Sequence, residues 1–191
     1  VTNVTVQDVK ISSDQKGGQY VGGLVGYSTG VISDIKAEGT QQGNNYKTYY
    51  NGSQTPSKSA YSYKVTGQLY TGGVIGYSTA VYSHIVIKAA YVEGTEAVGG
   101  ISGYVDQTTV EDLVVGDRND EAMPVYVTGS TKNIGGVVGL SSDAAGENIW
   151  RTIKNARVYN SYIKGSTYTG GILGNTGGWY MRIQDSEAVS Y

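Results

Sequence analysis

The stretch QYVGGLVGYSTG, Gln19 to Gly30, sets two large aliphatics, Leu24 and Val25, side by side between glycines. Read alone, it suggests a glycine-rich phosphate loop. The chain repeats it, however. Gly22-Gly23-Leu24-Val25-Gly26 returns as Gly72-Gly73-Val74-Ile75-Gly76, Gly99-Gly100-Ile101-Ser102-Gly103, Gly135-Gly136-Val137-Val138-Gly139 and Gly170-Gly171-Ile172-Leu173-Gly174, at steps of 50, 27, 36 and 35 residues. A phosphate loop needs one such turn between a strand and a long helix, and its Walker form adds Gly-Lys-(Ser/Thr). Five copies without that lysine or any helical period argue for a structural repeat instead.

A second pattern, apolar-x-(Asp/Asn/His)-x-x-apolar, alternates with the first. Its copies are Val6-Gln7-Asp8-Val9-Lys10-Ile11, Ile32 to Ala37, Tyr82 to Ile87, Val110 to Val115, Ile153 to Val158 and Ile183 to Ala188. The shortest glycine step gives a unit of about 27 residues, enough for two or three short strands with their turns but too few apolar residues to bury a face alone. The longer steps are this unit plus insertions, at about residues 40–63, 116–123 and 141–150. Stacking solves the burial problem: each unit pairs in parallel with its neighbours about 4.8 Å away, and the aliphatics form continuous files. The expected fold is therefore a single all-β domain over residues 1–191, a parallel β-solenoid of five to six coils with loop insertions, right-handed as parallel crossovers generally are. The repeated glycines mark a bend needing positive φ or a backbone too crowded for a Cβ. The Leu24 file is expected to point inward.

Composition agrees with strands and turns. The 191 residues include 29 glycines, 18 tyrosines, two prolines and no phenylalanine. A formal net charge of −2 gives no footing for a nucleic-acid partner. Cysteine is absent, which excludes disulfides and thiolate metal sites. No apolar run approaches the roughly 20 residues of a transmembrane helix. With no capping helix at either end, the chain reads as a segment of a longer protein whose flanking domains cover the ends of the stack.

The Gly-Gly-(Leu/Val/Ile)-x-Gly core, with Val-x-Asp-Val-x-Ile-like segments between copies, resembles the Glug repeat of bacterial surface and secreted proteins. These include adhesin-like proteins and the non-catalytic parts of IgA1-specific and Zmp-type zinc metallopeptidases. The resemblance implies a non-catalytic extracellular module at the bacterial cell surface. What the resemblance implies is an adhesin-like binding or spacer domain or, alternatively, the substrate-engaging part of such a peptidase. Those peptidases carry His-Glu-x-x-His elsewhere in their chains. Here the sole histidine, His84, precedes Ile85-Val86-Ile87, so no catalytic residue carries over. Departures from the repeat are Ser102 in place of an aliphatic, and Leu140 and Asn175 where other copies have Tyr27, Tyr77 and Tyr104.

Three groups of residues invite a functional reading. The polar file Asp8, Asp34, His84, Asp112, Asn155, Asp185 is read as short side chains bonding backbone amides at a repeated bend. A spacing near that of a retaining glycosidase's carboxylate pair, about 5–5.5 Å, gives a weaker alternative, a carbohydrate-active β-helix. Tyrosines flank the glycine motif at Tyr20, Tyr70 and Tyr168 and at Tyr27, Tyr77 and Tyr104. They are read as stacking rungs, or as a ridge for a protein or glycan partner. Tyr46, Tyr49 and Tyr50 in the long insertion are the better candidates for binding a host protein or glycan, because loops on a rigid scaffold usually carry recognition. Asp117, Asn119, Asp120 and Glu121 supply hard oxygens on one loop and make calcium the one candidate cofactor.

Overall fold

The computed structural model describes residues 1–13, 19–40, 57–106, 108–142, 150–178 and 180–189; Tyr46, Tyr49 and Tyr50 lie outside this set. Its strands form four sheets, and every neighbouring pair is parallel. The first sheet holds Thr2–Gln7, Ile32–Glu38, Tyr82–Lys88, Val110–Val115 and Arg151–Tyr159, with Met181–Gln184 and Glu187–Val189 both against the last of these. The other three sheets hold five strands each. The third coil shows the plan: Tyr82–Lys88, Ala90–Gly94, Val98–Gly99 and Ser102–Asp106 run through sheets one to four in turn. Five coils are complete and a sixth is begun. Each coil has four strands rather than the two or three expected, because both sequence motifs turn out to be corners or kinks that divide longer extended runs.

The glycine motif makes the corner between the third and fourth sheets. Gly22, Gly72, Gly99, Gly135 and Gly170 stand in one register file. Directly after them, two successive amides converge on one carbonyl of the next coil: Leu24 and Val25 both donate to Val74 O at 3.0 Å, and Ile101 and Ser102 both donate to Val137 O at 3.0 Å. The chain reverses its inward parity there, so both aliphatics face the core. Val74, Ile75, Ile101, Val137 and Val138 are all fully buried. The Leu24 file is inward, as expected, and so is the Val25 file.

None of the fifteen motif glycines has a positive φ; among described glycines only Gly116 does, at 81°. Crowding is the operative constraint. A Cβ on the first glycine of each motif would fall under 3.0 Å from the carbonyl oxygen three residues on, which folds back over it. On Gly23, Gly73, Gly100 and Gly136, it would meet the carbonyl of the second glycine in the next coil just as closely. On Gly76, Gly103, Gly139 and Gly174 it would strike backbone of the preceding coil. Glycine is required because backbone lies on backbone.

Positive φ falls instead on the polar file. Asn3, Asp34, His84, Asp112, Asn155 and Asp185 have φ of 51–57°. Asp, Asn and His tolerate this left-handed region better than other side-chain-bearing residues. The kink resets the alternation of the strand, so Ile32 and Ile35, three residues apart, are both buried, and Tyr82 with Ile85 and Val110 with Leu113 follow suit. This corrects one assignment. Val4 pairs with Ile35 and Thr2 with Ser33, which puts Asn3 opposite Asp34. Asp8, also at positive φ, belongs to the corner that follows the strand, where its amide donates to Glu38 O at 3.2 Å.

Ser102 replaces an aliphatic for a steric reason. In the file Ile32, Tyr82, Val110, Ile153, the second coil's successor places a large tyrosine in the core, fully buried. Burial holds the Tyr82 phenol far above its usual pKa, opposed in part by the nearby Ser102 hydroxyl, which itself donates to Tyr104 O at 3.2 Å and leaves the Tyr82 hydroxyl without a hydrogen-bond partner among the described residues. A small residue in one file accommodates a large one in another at constant core volume.

The three long connections run from Glu38 to Tyr63, from Val115 to Tyr126 and from Ser142 to Arg151. The first two leave from the same corner, between sheets one and two, on the second and fourth coils; the third leaves between sheets four and one.

Gly100→Ala is expected to lower unfolding stability by about 1–3 kcal/mol through this overpacking. Gly30→Ala, with no atom within 4 Å of the new methyl, should stay within about 0.5 kcal/mol of the parent in the same urea titration.

Candidate functional site

The polar file runs along the outside of the first sheet. Asn155 Nδ2 donates to Asp112 Oδ1 at 3.0 Å, and His84 Nε2 lies 3.3 Å from Asp112 Oδ2. Asp34 accepts from the Ser33 hydroxyl at 2.7 Å. The side chains thus bond one another across coils and the serines that precede them in sequence, rather than the next coil's amides as expected. The order of the file also bears on catalysis. Asp112 is flanked by His84 and Asn155, Asp34 by Asn3 and His84, and Asp185 follows Asn155, so no two carboxylates occupy adjacent rungs. The paired-carboxylate geometry of a retaining glycosidase is not formed there.

The tyrosines form two sets. On the outside of the second sheet Tyr91, Tyr126 and Tyr162 stack at 4.8 and 5.0 Å with planes within 18°. Tyr61, from the end of the long connection, closes over this stack at 5.7 Å, and Tyr91 and Tyr126 are buried. Lys58 fastens the same segment: its ammonium reaches Glu93 at 2.7 Å and sits 5.9 Å over the Tyr91 ring. The base of the large insertion is therefore anchored on the coil surface.

The second set flanks the glycine corner. Tyr27, Tyr77 and Tyr104 are in register on the fourth sheet, with ring centroids 5.2 and 4.8 Å apart and planes within 19°. Tyr20 and Tyr70 stack on the third sheet at 5.6 Å. The two ladders interlock: Tyr20 lies 5.0 Å from Tyr77, and Tyr70 lies 4.9 Å from Tyr104, at tilts of 59° and 44°. Ring faces cover one another, so the ridge offers solvent mainly edges and hydroxyls. Tyr77 donates to Asp106 Oδ2 at 2.9 Å; Tyr104 is bonded to the Ser142 hydroxyl, which donates to Asp106 Oδ1 at 3.2 Å. Burial, and then the Asp106 hydrogen bond, raise the Tyr77 phenol above its ordinary pKa. Asp106 and Ser142 were not singled out in the sequence. The signal was there, since each lies two residues past a ladder position and a strand's period of two puts it on the same face.

In the acidic loop, Asp117 Oδ2 pairs with Lys88 at 2.6 Å, and Oδ1 accepts from the Asn119 amide at 2.8 Å. Asp120 Oδ1 accepts from the Ala122 amide at 2.8 Å. Among the described residues no three His, Asp or Glu side chains converge as a metal-holding group. A recess of about 210 Å³ lined by Val158, Ser161, Ile163, Gly171, Ala188 and Val189 continues the apolar core past the fifth coil. Among the described residues, no helix is long and apolar enough to cross a membrane.

Against known families, residues 17–40 match the GLUG motif. No curated protein and no solved structure matches the chain. The matched segment is the first glycine corner with the kinked strand after it, and the register sets four further glycine corners in file with it.

Two outcomes test this description. Asp112→Asn keeps a residue tolerant of the left-handed region and should stay within about 1 kcal/mol of the parent, whereas Asp112→Val should lose about 2 kcal/mol by denaturant titration. The Lys88 hydrogen bond, and then the Asn119 amide, hold the Asp117 carboxyl below its ordinary value of 3.8. A depressed folded-state pKa contributes stability that is complete at neutral pH and disappears as acid protonates the group. Asp117→Asn should therefore flatten the fall in melting temperature as the pH drops below 3.8 and through the lowered folded value, and leave it unchanged near neutral pH.

Proposed function

We propose that this chain is a non-catalytic module of an extracellular bacterial protein, an adhesin-like rigid spacer that holds recognition loops out from one corner of a β-solenoid. The observation that carries this reading is the placement of the long connections. Two of the three leave from the same corner, two coils apart, and the base of the larger one is fastened through Tyr61 and Lys58. A scaffold that repeats its backbone and varies only its loops is the usual arrangement of a recognition surface. The GLUG match supports a repeat module, and the resemblance to surface and secreted proteins supports the location. The loop bearing Tyr46, Tyr49 and Tyr50 is the proposed contact region for a host protein or glycan, with calcium at the Asp117–Glu121 loop as a lesser proposal.

The test is a binding screen of immobilised host glycoproteins, with and without their glycans, against the chain and a variant whose residues 41–56 are replaced by a short Gly-Ser linker. The expected result is binding by the parent, at least tenfold weaker binding by the variant and no change in melting temperature. Equal binding by both removes the loop from the role. Release of reducing ends from a polysaccharide, or cleavage of a bound glycoprotein, overturns the non-catalytic reading. Addition of EDTA or calcium in the same melting experiment reports on the ion, through the shift that ligand binding to the folded state must produce.

A further inference from the structure

We propose that Tyr77 and Tyr104 form an oxidative cross-linking site, at which a peroxidase with hydrogen peroxide joins the two rings as an intramolecular dityrosine and ties the second coil to the third. The chain has no cysteine, so a covalent tie between its coils cannot be a disulfide. The two tyrosines are register partners on adjacent parallel strands. Their rings overlie with centroids 4.8 Å apart and planes 17° from parallel, and both are half-buried rather than enclosed. The two phenol rings therefore lie face to face from one rung to the next.

Both phenols also have a path for their protons to the same carboxylate. Tyr77 donates directly to Asp106, and Tyr104 reaches it through Ser142. Oxidation of each phenol removes one electron and one proton and leaves a phenoxyl radical. One proton goes to Asp106 and the other to solvent. The radicals couple through their ortho carbons, forming one C–C bond. The two ortho hydrogens then leave as protons while the two oxygens are reprotonated and the rings regain aromaticity. The net loss is two electrons and two protons, and these reduce one hydrogen peroxide to two water molecules.

Other stacked pairs are less well placed. Tyr91 and Tyr126 are equally close, at 4.8 Å, but are 7% and 2% exposed beneath Tyr61. Tyr27 and Tyr77 are 5.2 Å apart and share only the proton path of Tyr77. The more exposed Tyr20 and Tyr27 touch Tyr77 and so supply an entry point for the oxidant into the ridge.

The experiment treats the dilute intact chain with peroxidase and hydrogen peroxide, follows dityrosine fluorescence and maps the linked peptides by mass spectrometry. The expected product is a monomer lighter by two hydrogens, with the Tyr77 peptide joined to the Tyr104 peptide. Tyr77→Phe and Tyr104→Phe should each abolish that link with circular dichroism unchanged, and Asp106→Asn should slow its formation several-fold. Links confined to Tyr46, Tyr49 or Tyr50, links only between molecules, or an unchanged rate in Asp106→Asn with unchanged yield in Tyr77→Phe, would overturn the proposal.

Discussion

The contact on which this structure depends is backbone against backbone at the second glycine of each motif. Gly23 lies over Gly73, Gly73 over Gly100, Gly100 over Gly136 and Gly136 over Gly171, each with no room for a Cβ. Glycine loses more conformational freedom on folding than any other residue, at about 0.5–1 kcal/mol relative to alanine. Fifteen such residues are tolerable only because the corner they allow sets the register of everything else. With the coils held at that spacing, each strand of a coil finds hydrogen-bond partners above and below, and the aliphatics of neighbouring coils meet in the core.

The same corner shapes the outer surface. Tyrosines two residues before and four residues after the glycine pair project beside the turn, from two sheets that meet at an angle. Stacking along each sheet and tilted contacts between sheets follow from this placement, and the ridge ends where Ala97, Leu140, Asn133 and Asn175 replace tyrosine. The opposite side of the coil behaves differently. The corner between the first two sheets accepts one residue, as at Ala89, two, as at Asp8-Val9 and Asn160-Ser161, or a long excursion, as after Glu38 and Val115. Connection length varies at this corner and between sheets four and one, while the glycine corner keeps one length in all five coils.

Much of this was legible in the sequence because the repeat is strict where packing is strict. Five glycine motifs in phase with inward aliphatics determine coil number, parallel pairing and core files. What the sequence left open was whether the glycines serve positive φ or crowding, and the structure decides for crowding. In this fold the left-handed region is taken mainly by Asp, Asn and His, with Ala89, Ala97 and Tyr168 also in it, while the motif glycines answer a steric demand made by the adjacent coil. Asp8 shows the same limit. Val6-Gln7-Asp8-Val9 imitates the kinked motif, but Val4 pairs with Ile35 and so Asn3 takes the place in the file. The Tyr77–Asp106–Ser142–Tyr104 cluster spans three coils and could be recognised only once the register was known.

The central claim, in-register parallel stacking through the glycine corner, is tested most directly by backbone NMR of the isotopically labelled chain. The account predicts cross-coil contacts between Gly72 and Gly99 and between Gly99 and Gly135, with the Gly73 and Gly136 amides protected from exchange by their bonds to Gly99 O and Gly170 O at 3.1 Å. Antiparallel contact patterns between these segments, or rapid exchange at both amides in the folded chain, would contradict it.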